Sequence, residues 1–211
     1  MVQDYSSQRV AAFLLMIKSE IPNRKSGIKI WDCCAGSGGK SILAFDVLQN
    51  VQLTVSDVRP SILSNLKRRF KEAGINHYHS ITLDLTWPLS KAMFSMSGTG
   101  FDLIICDAPC TGSGTWSRTP EQLFFFEREK INHYTALQKK IISNIISRVN
   151  KGGYFLYITC SVFKKENEEM VEYILQQSTL ILIQKELFVG YDKKADTMFA
   201  ALFCAASSDD Q

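Results

Sequence analysis

The sequence predicts an α/β fold built on a doubly wound, mostly parallel sheet, with one antiparallel strand towards its C-terminal end. Short apolar runs alternate with amphipathic stretches of helical length, which is the order that parallel strands joined by crossover helices require. The runs that read as the first four strands each end on an acid, Asp32, Asp57, Asp84 and Asp107. Near the C-terminus one helix is followed by two strand-like runs with a short link, which suits a hairpin. The first half is accordingly Rossmann-like.

Taken in order, Ser6 or Ser7 stands where it can cap a helix over residues 8–20, which Pro22 stops. Residues 28–31 form a strand that ends at Asp32 and enters a glycine loop, and residues 40–48 form the helix after it. Residues 51–55 are the second strand, ending at Asp57. Pro60 opens a helix that Gly74 closes, in keeping with proline at a helix start and glycine past its end. Residues 78–83 lead to Asp84, and a loop with Pro88, Gly98 and Gly100 leads to the fourth strand, 101–106. A long helical region runs from Pro120 to Val149 and ends at Gly152-Gly153. A strand over 154–159, a helix over 166–177 and strands over 180–186 and 197–204 complete the fold; the tail 207–211 frays.

Composition bounds the function. A chain of 211 residues suits one domain with a full core, at ~100–200 residues per domain. Its 45% hydrophobic and 21% charged residues are those of a soluble globular protein. A net charge of +3 permits a nucleic-acid partner without requiring one. Six cysteines without regular spacing read as reduced thiols rather than a disulfide framework. Residues 1–8 are polar and carry Asp4, and the apolar run 10–17 is too short to span a bilayer, so a cytoplasmic protein without membrane attachment is expected.

The first strand–loop–helix unit reads Cys34, Ala35, Gly36, Ser37, Gly38, Gly39, Lys40. Its glycines allow close approach of the backbone to a ligand. Two phosphate-binding patterns each miss by one residue. Gly39-Lys40-Ser41 ends like a P-loop, but Cys34 stands where its first glycine belongs; Gly36-x-Gly38 begins a dinucleotide fingerprint, but Ser41 stands at its third glycine. The acids point elsewhere. Asp57 lies about twenty residues past the loop, where an acid binds ribose hydroxyls, and Asp84 lies near the place of an adenine amino group. A triphosphate would be repelled by these carboxylates; S-adenosylmethionine, with its cationic sulfonium and amino groups, suits them. The plainer alternative is that Asp57 and Asp84 cap the turns that follow.

The apolar run 101–106 ends in Asp107-Ala-Pro-Cys110 and a Gly/Ser loop, and a second run ends in Thr159-Cys160. Ligands of open α/β sheets bind at the carboxyl ends of the strands, so if both strands are parallel members of one sheet, both thiols stand on the same rim.

The segments DCCAGSGGKS, SDVRPSILSNLKRRFKEAGI, LDLT, FDLIICDAPCTGSGTWSRTPE and YITCSVFKKENEEMV, flanked by VQDYSSQ and DTMFAALF, resemble the RNA cytosine-C5 methyltransferases of the Sun family, whose bacterial members methylate small-subunit ribosomal RNA. The likeness covers nearly the whole chain and implies a sheet of the class I methyltransferase type. It places the cofactor loop on residues 34–40, the ribose acid on Asp57, the adenine-side acid on Asp84, the acid beside the reacting base on Asp107, the nucleophile on Cys160, the second thiol on Cys110, and a lysine that reaches the active site on Lys40. The family usually has Ala-Pro where this chain has Gly36-Ser37, and Gly in place of Thr197. It also has an RNA-binding module before the VQD segment, so residues 1–211 are expected to be a catalytic domain without that module.

The resemblance implies methylation of carbon 5 of a cytosine in RNA, with rRNA expected first and tRNA second. A thiolate added at carbon 6 makes carbon 5 nucleophilic, which is covalent catalysis. Asp107 is expected to hydrogen-bond the base, and Cys110 to assist release of the product. The target base must leave its stack. Trp116 and Arg118, on the loop after Cys110, are candidates to stack on an unpaired base or contact phosphate, against the alternative of a loop anchored by its tryptophan. Cys33, Cys106 and Cys204 read as core, Phe124, Phe125 and Phe126 as helix packing, and His77 and His79 as strand residues rather than ligands. No metal is expected, and a monomer is. The alternatives are a methyltransferase acting on another acceptor, a P-loop nucleotide hydrolase, and a module that binds cofactor or RNA without turnover.

Overall fold

The computed structural model describes residues 3–21, 26–89 and 100–206; Pro22, Gly98 and the tail 207–211 lie outside them. The described elements are α1 (Tyr5–Arg9), α2 (Ala11–Glu20), β1 (Ile28–Asp32), α3 (Gly39–Leu48), β2 (Val51–Asp57), α4 (Pro60–Glu72), β3 (Tyr78–Thr82), β4 (Phe101–Asp107), α5 (Pro120–Phe124), α6 (Glu129–Ile145), β5 (Val149–Thr159), α7 (Glu168–Gln177), β6 (Leu180–Phe188) and β7 (Met198–Ala205). Seven strands form one sheet in the order β3-β2-β1-β4-β5-β7-β6. The pairings β3 to β2, β2 to β1, β1 to β4 and β4 to β5 are parallel, and β7 runs antiparallel to both its neighbours. The doubly wound sheet with one antiparallel strand is thus as the sequence predicts.

The strands alternate their side chains between two apolar layers. On one face Ile30, Val55, Leu103, Ile105, Leu156 and Ile158 pack with Phe13 and Ile17 of α2 and Leu66 and Phe70 of α4. On the other, Trp31, Ile104, Cys106, Phe155 and Tyr157 pack with Ile141, Ile142 and Ile145 of α6 and Met170 and Ile174 of α7. Each fully buried large side chain contributes about 1.5–3 kcal/mol over leaving it in water, so the central strands are held from both sides. Because β1 pairs with β2 on one side and β4 on the other, the order reverses between β1 and β4. Such a reversal opens a crevice at the carboxyl ends, and that is where Asp32 and Asp107 stand.

Three boundaries differ from expectation. Asp4, not Ser6 or Ser7, caps the first helix: its side chain accepts from the Ser6 and Ser7 N–H groups at 2.9 and 3.3 Å. Three cap-forming residues, Asp4, Ser6 and Ser7, stand within four positions, and the carboxylate takes the role, leaving both serines buried within the helix. The helical region after Pro120 divides into α5 and α6, with a short 3-10 turn before Val149. Gly152-Gly153 lies inside β5 rather than ending the helix; Gly152 has φ +65°, and the β4–β5 register shifts between Phe101 and Leu103. The pair makes a bulge, where a glycine takes the turn that other residues resist.

Candidate active site

The glycine loop is built by contacts from three directions. The Ala35 N–H donates to the Ser56 carbonyl at 2.9 Å, and the Gly36 N–H donates to Asp57 Oδ2 at 3.0 Å. Arg69 of α4 donates to the Ser37 carbonyl at 3.0 Å and to its hydroxyl. Gly38 sits at φ +84° as the cap of α3, and a Cβ there would lie 2.6 Å from Phe70 Cε1 and 3.0 Å from Leu66 Cγ. Gly38→Ala is therefore expected to cost about 1–3 kcal/mol through the strained backbone and the overlap, as measured by urea unfolding of the variant.

The loop opens onto a cavity of about 440 Å³ whose wall includes Cys34, Asp57, Asp84, Asp107 and Cys110, with Tyr134, Leu137 and Ile141 of α6 forming an apolar side. A larger concavity, about 570 Å³, holds His77 and His79 near the start of β2 and β3, away from the acids. Asp57 is gripped by Arg59, whose Nε and Nη2 donate to its two oxygens at 2.9 and 3.1 Å. Burial, the largest single influence, pushes the Asp57 pKa up, but the bonds and charge of Arg59 and the Gly36 N–H outweigh it and hold it below the usual range. Asp84 is exposed and accepts from the Thr86 hydroxyl and N–H at 2.7 and 2.9 Å, which lower its pKa. Both acids thus cap local turns and also face the cavity. Arg59, the cation in this wall, is already paired with Asp57. A nucleoside cofactor without phosphates fits such a donor set, and the apolar face of α6 suits a flat base.

Asp107 ends β4 and accepts from Lys40 Nζ at 2.8 Å; the same ammonium donates to Ser7 Oγ at 2.9 Å. The helical N-terminal segment thereby aims Lys40 at the carboxyl edge of the sheet. Asp32 ends β1 fully buried. Ser41 Oγ donates to its Oδ2 at 2.6 Å, and its Oδ1 has no partner among the described residues. Burial chiefly, with the Asp107 charge, pushes its pKa up to about 7 against the pull of Ser41 and Lys40. A carboxyl raised on folding binds its proton more tightly in the folded chain. Its stabilising contribution is fully present below the unfolded value of about 3.9 and is lost as pH rises towards the folded value. Asp32→Asn cannot ionise, so the wild-type decline in stability between about pH 4 and 7 should flatten in this variant, as read from urea midpoints across that range.

The two predicted thiols meet. Asp107 pairs in register with Ile158, the Ala108 N–H donates to the Ile158 carbonyl at 2.8 Å, and the chain segments that follow bring Cys110 Sγ to 3.3 Å from Cys160 Sγ. The hydrogen bond with Cys160, then burial, pushes the Cys110 thiol well up. The two loops are tied together by Gly114 N–H to the Cys160 carbonyl at 2.8 Å and Val162 N–H to Ser113 Oγ at 2.9 Å. A Cβ on Gly114 would collide with the Thr197 carbonyl.

The loop residues fare differently. Trp116 packs against Phe126 and Phe163, with ring centroids at 4.8 and 5.9 Å, and so anchors its loop. Arg118 makes a two-toothed ion pair with Asp196, Nε to Oδ1 at 3.0 Å and Nη2 to Oδ2 at 2.5 Å, on a largely exposed side chain. Phe126 lies between α5 and α6 and packs on Trp116 and Phe163 rather than within a helix, and Phe124 and Phe125 are 82% and 68% exposed and pack against each other instead of the core. Cys33 and Cys106 are buried, and their Sγ atoms and that of Cys34 lie within 4.8 Å of one another, a grouping invisible in the spacing. Sequence reasoning also missed Ser7, Asp32 as a buried acid, Arg59, Arg69 and Glu166. Only Arg59 carried a local signal, two residues past Asp57. Among the described residues no helix is long and apolar enough to cross a membrane.

A family model described as 16S rRNA methyltransferase RsmB/F matches residues 21–203. The chain is 29% identical over 177 residues to the probable ribosomal RNA small subunit methyltransferase B of Bacillus subtilis, covering 83% of this chain and 37% of that protein. It is 28% identical over 168 residues to the human 28S rRNA (cytosine(4447)-C(5))-methyltransferase, covering 78% of this chain and 20% of that one. The chain therefore spans well under half the length of these relatives. Among solved structures, NSun6 from Pyrococcus horikoshii, determined with the S-adenosylmethionine analogue SFG, superposes with a TM-score of 0.79 at 20% identity over 98% of this chain and 53% of that one. A methyltransferase homologue from the same organism superposes with a TM-score of 0.75 at 18% identity, over 97% and 68%. At these identities the likeness establishes the fold.

Proposed function

The chain belongs to the 16S rRNA methyltransferase RsmB/F family, and from that premise we propose that it is the catalytic domain of an enzyme that methylates carbon 5 of a cytosine in RNA, rRNA first among substrates, through a covalent Cys160 adduct. The observation that carries this reading is the thiol pair, with Cys110 Sγ 3.3 Å from Cys160 Sγ, on the strand edge that also bears the Lys40–Asp107 pair.

S-adenosylmethionine, held by the 34–40 loop, Asp57 and Asp84, supplies a methyl group on a positively charged sulfur. The chain's own residues prepare the acceptor. Cys160, as thiolate, forms a bond to carbon 6 of the flipped-out cytosine, and the electron pair of the 5,6 double bond shifts so that carbon 5 becomes nucleophilic. Asp107, oriented by Lys40, accepts from the exocyclic amino group and fixes the ring. Once Cys160 is bonded to carbon 6, its charge no longer opposes ionisation of Cys110, which gives its own proton to solvent. After carbon 5 carries the methyl group, the Cys110 thiolate takes the carbon 5 proton, the double bond re-forms and the carbon 6–sulfur bond breaks, returning Cys160 as thiolate. Trp116 and Arg118 are assigned to the RNA side, Trp116 by shaping the loop and Arg118 through its exposed edge.

A nucleotide hydrolase is the competing reading from the Gly39-Lys40-Ser41 sequence. The engagement of Lys40 by Asp107 and Ser7, and of Ser41 by Asp32, argues for the methyltransferase. Calorimetric titration with S-adenosylhomocysteine, and with ATP and magnesium as control, separates them. Binding of the nucleoside, lost in Asp57→Ala, is the expected result; binding of ATP alone would overturn it.

A further inference from the structure

Glu166 is fully buried at the end of a 3-10 turn over residues 164–166. Its Oε1 accepts from the Thr111 N–H at 2.9 Å, and its Oε2 accepts from the Thr111 hydroxyl at 2.6 Å and the Ser161 hydroxyl at 2.5 Å. Thr111 directly follows Cys110, and Ser161 directly follows Cys160. One carboxylate therefore bonds the residue after each thiol. Its own segment is held by Tyr157, whose hydroxyl donates to the Glu166 carbonyl at 2.7 Å. Burying a carboxylate is costly unless hydrogen bonds satisfy it, and here three donors do so, all from the two thiol loops.

We propose that Glu166 is a positioning residue of the two-thiol site, which clamps the Cys110 and Cys160 loops together and biases their shared negative charge onto Cys160. The proposal rests on the functional reading above for its purpose, but not for its test. Two thiols 3.3 Å apart do not readily both ionise. Which one does depends on the charges around them. The bond with Cys160 and burial chiefly raise the Cys110 pKa, and the Glu166 carboxylate acts in the same direction. The Arg118 guanidinium, though paired with Asp196, acts on Cys160. Asp107, already paired with Lys40, and the Tyr157 hydroxyl are further charged and titratable groups around the pair. An anion on the Cys110 side and a cation on the Cys160 side make the pair unsymmetrical, which is the bias the proposal assigns to Glu166. The thiolate is the attacking form, so the same bonds that set the distance also select the nucleophile.

The test is site-resolved alkylation. Purified chain is treated with iodoacetamide across pH 6 to 10, as a broad range around the ordinary thiol value of about 8.5, and each cysteine's rate is read by mass spectrometry. In the wild type Cys160 should react faster than Cys110 and with a lower pH midpoint. Glu166→Gln keeps the shape and removes the charge, and should lower the Cys160-to-Cys110 rate ratio about tenfold, the equivalent of one unit in relative pKa. Thr111→Val keeps the charge and removes one donor; it should change the ratio by less than about threefold. Cooperative thermal unfolding certifies each variant as folded. Should Glu166→Gln fail that check, Glu166→Asp, which withdraws the charge by one methylene, replaces it, with a smaller fall in ratio expected. An unchanged ratio in whichever Glu166 variant folds, or a wild type in which Cys110 reacts first, overturns the proposal. Because alkylation requires no RNA and no methyl transfer, a chain that shows the ratio yet methylates nothing would contradict the functional reading and leave the role of Glu166 standing.

Discussion

Cys160→Ser is expected to lower methyl transfer at least about a thousandfold, roughly 4 kcal/mol in activation free energy, while leaving affinity for S-adenosylhomocysteine unchanged. A serine hydroxyl ionises far less readily than a thiol, so the group that must add to carbon 6 is no longer available as an anion. The cavity that would take the cofactor is walled by Asp57, Asp84 and Asp107 with the apolar side of α6, and Cys160 is not part of that wall. Activity and cofactor affinity should therefore separate cleanly. Initial rates with labelled S-adenosylmethionine, set beside calorimetry, measure both. Full activity in the serine variant would remove Cys160 from the reaction.

Cys110→Ser should have the opposite signature. The adduct forms, because Cys160 remains, but the group that takes the carbon 5 proton is gone. Without that proton transfer the bond between Cys160 and carbon 6 cannot break, and protein and RNA stay joined. A slower-migrating species, stable to denaturing electrophoresis and digested by ribonuclease, should accumulate in this variant and be absent from Cys110→Ser/Cys160→Ser. The 3.3 Å contact between the sulfurs puts both groups within reach of one base. Turnover of Cys110→Ser at the wild-type rate with no joined species would contradict this division of labour.

The parallel sheet was legible because its central strands are buried on both faces and so appear as continuous apolar runs, such as residues 103–106 of β4. The meeting of Cys110 and Cys160 was legible for the same reason: each thiol follows a run of this kind, and neighbouring parallel strands end on one rim. Contacts between distant segments left no local trace. Nothing about Ser7 announces that its hydroxyl will accept from Lys40, 33 residues away, nor does the motif around Glu166 reveal a bond to Thr111 across 55 residues. Asp32 looks like any strand-end acid until its burial and its bond from Ser41 are known. Two misreadings have simple causes. Gly152-Gly153 resembles a helix stop, yet the same flexibility serves a bulge in β5. Phe124 and Phe125 carry the composition of packing residues but sit on α5 and just past its end, and α5, at five residues, buries none of its side chains.

Analysis of the product decides the central claim. Purified chain, S-adenosylmethionine with a labelled methyl group and ribosomal RNA transcripts would be incubated together, the RNA digested to nucleosides and the label located by mass spectrometry. The account predicts label in 5-methylcytidine alone, and none with Cys160→Ser. Label in any other nucleoside, or none from a chain that binds S-adenosylhomocysteine and RNA, would contradict it.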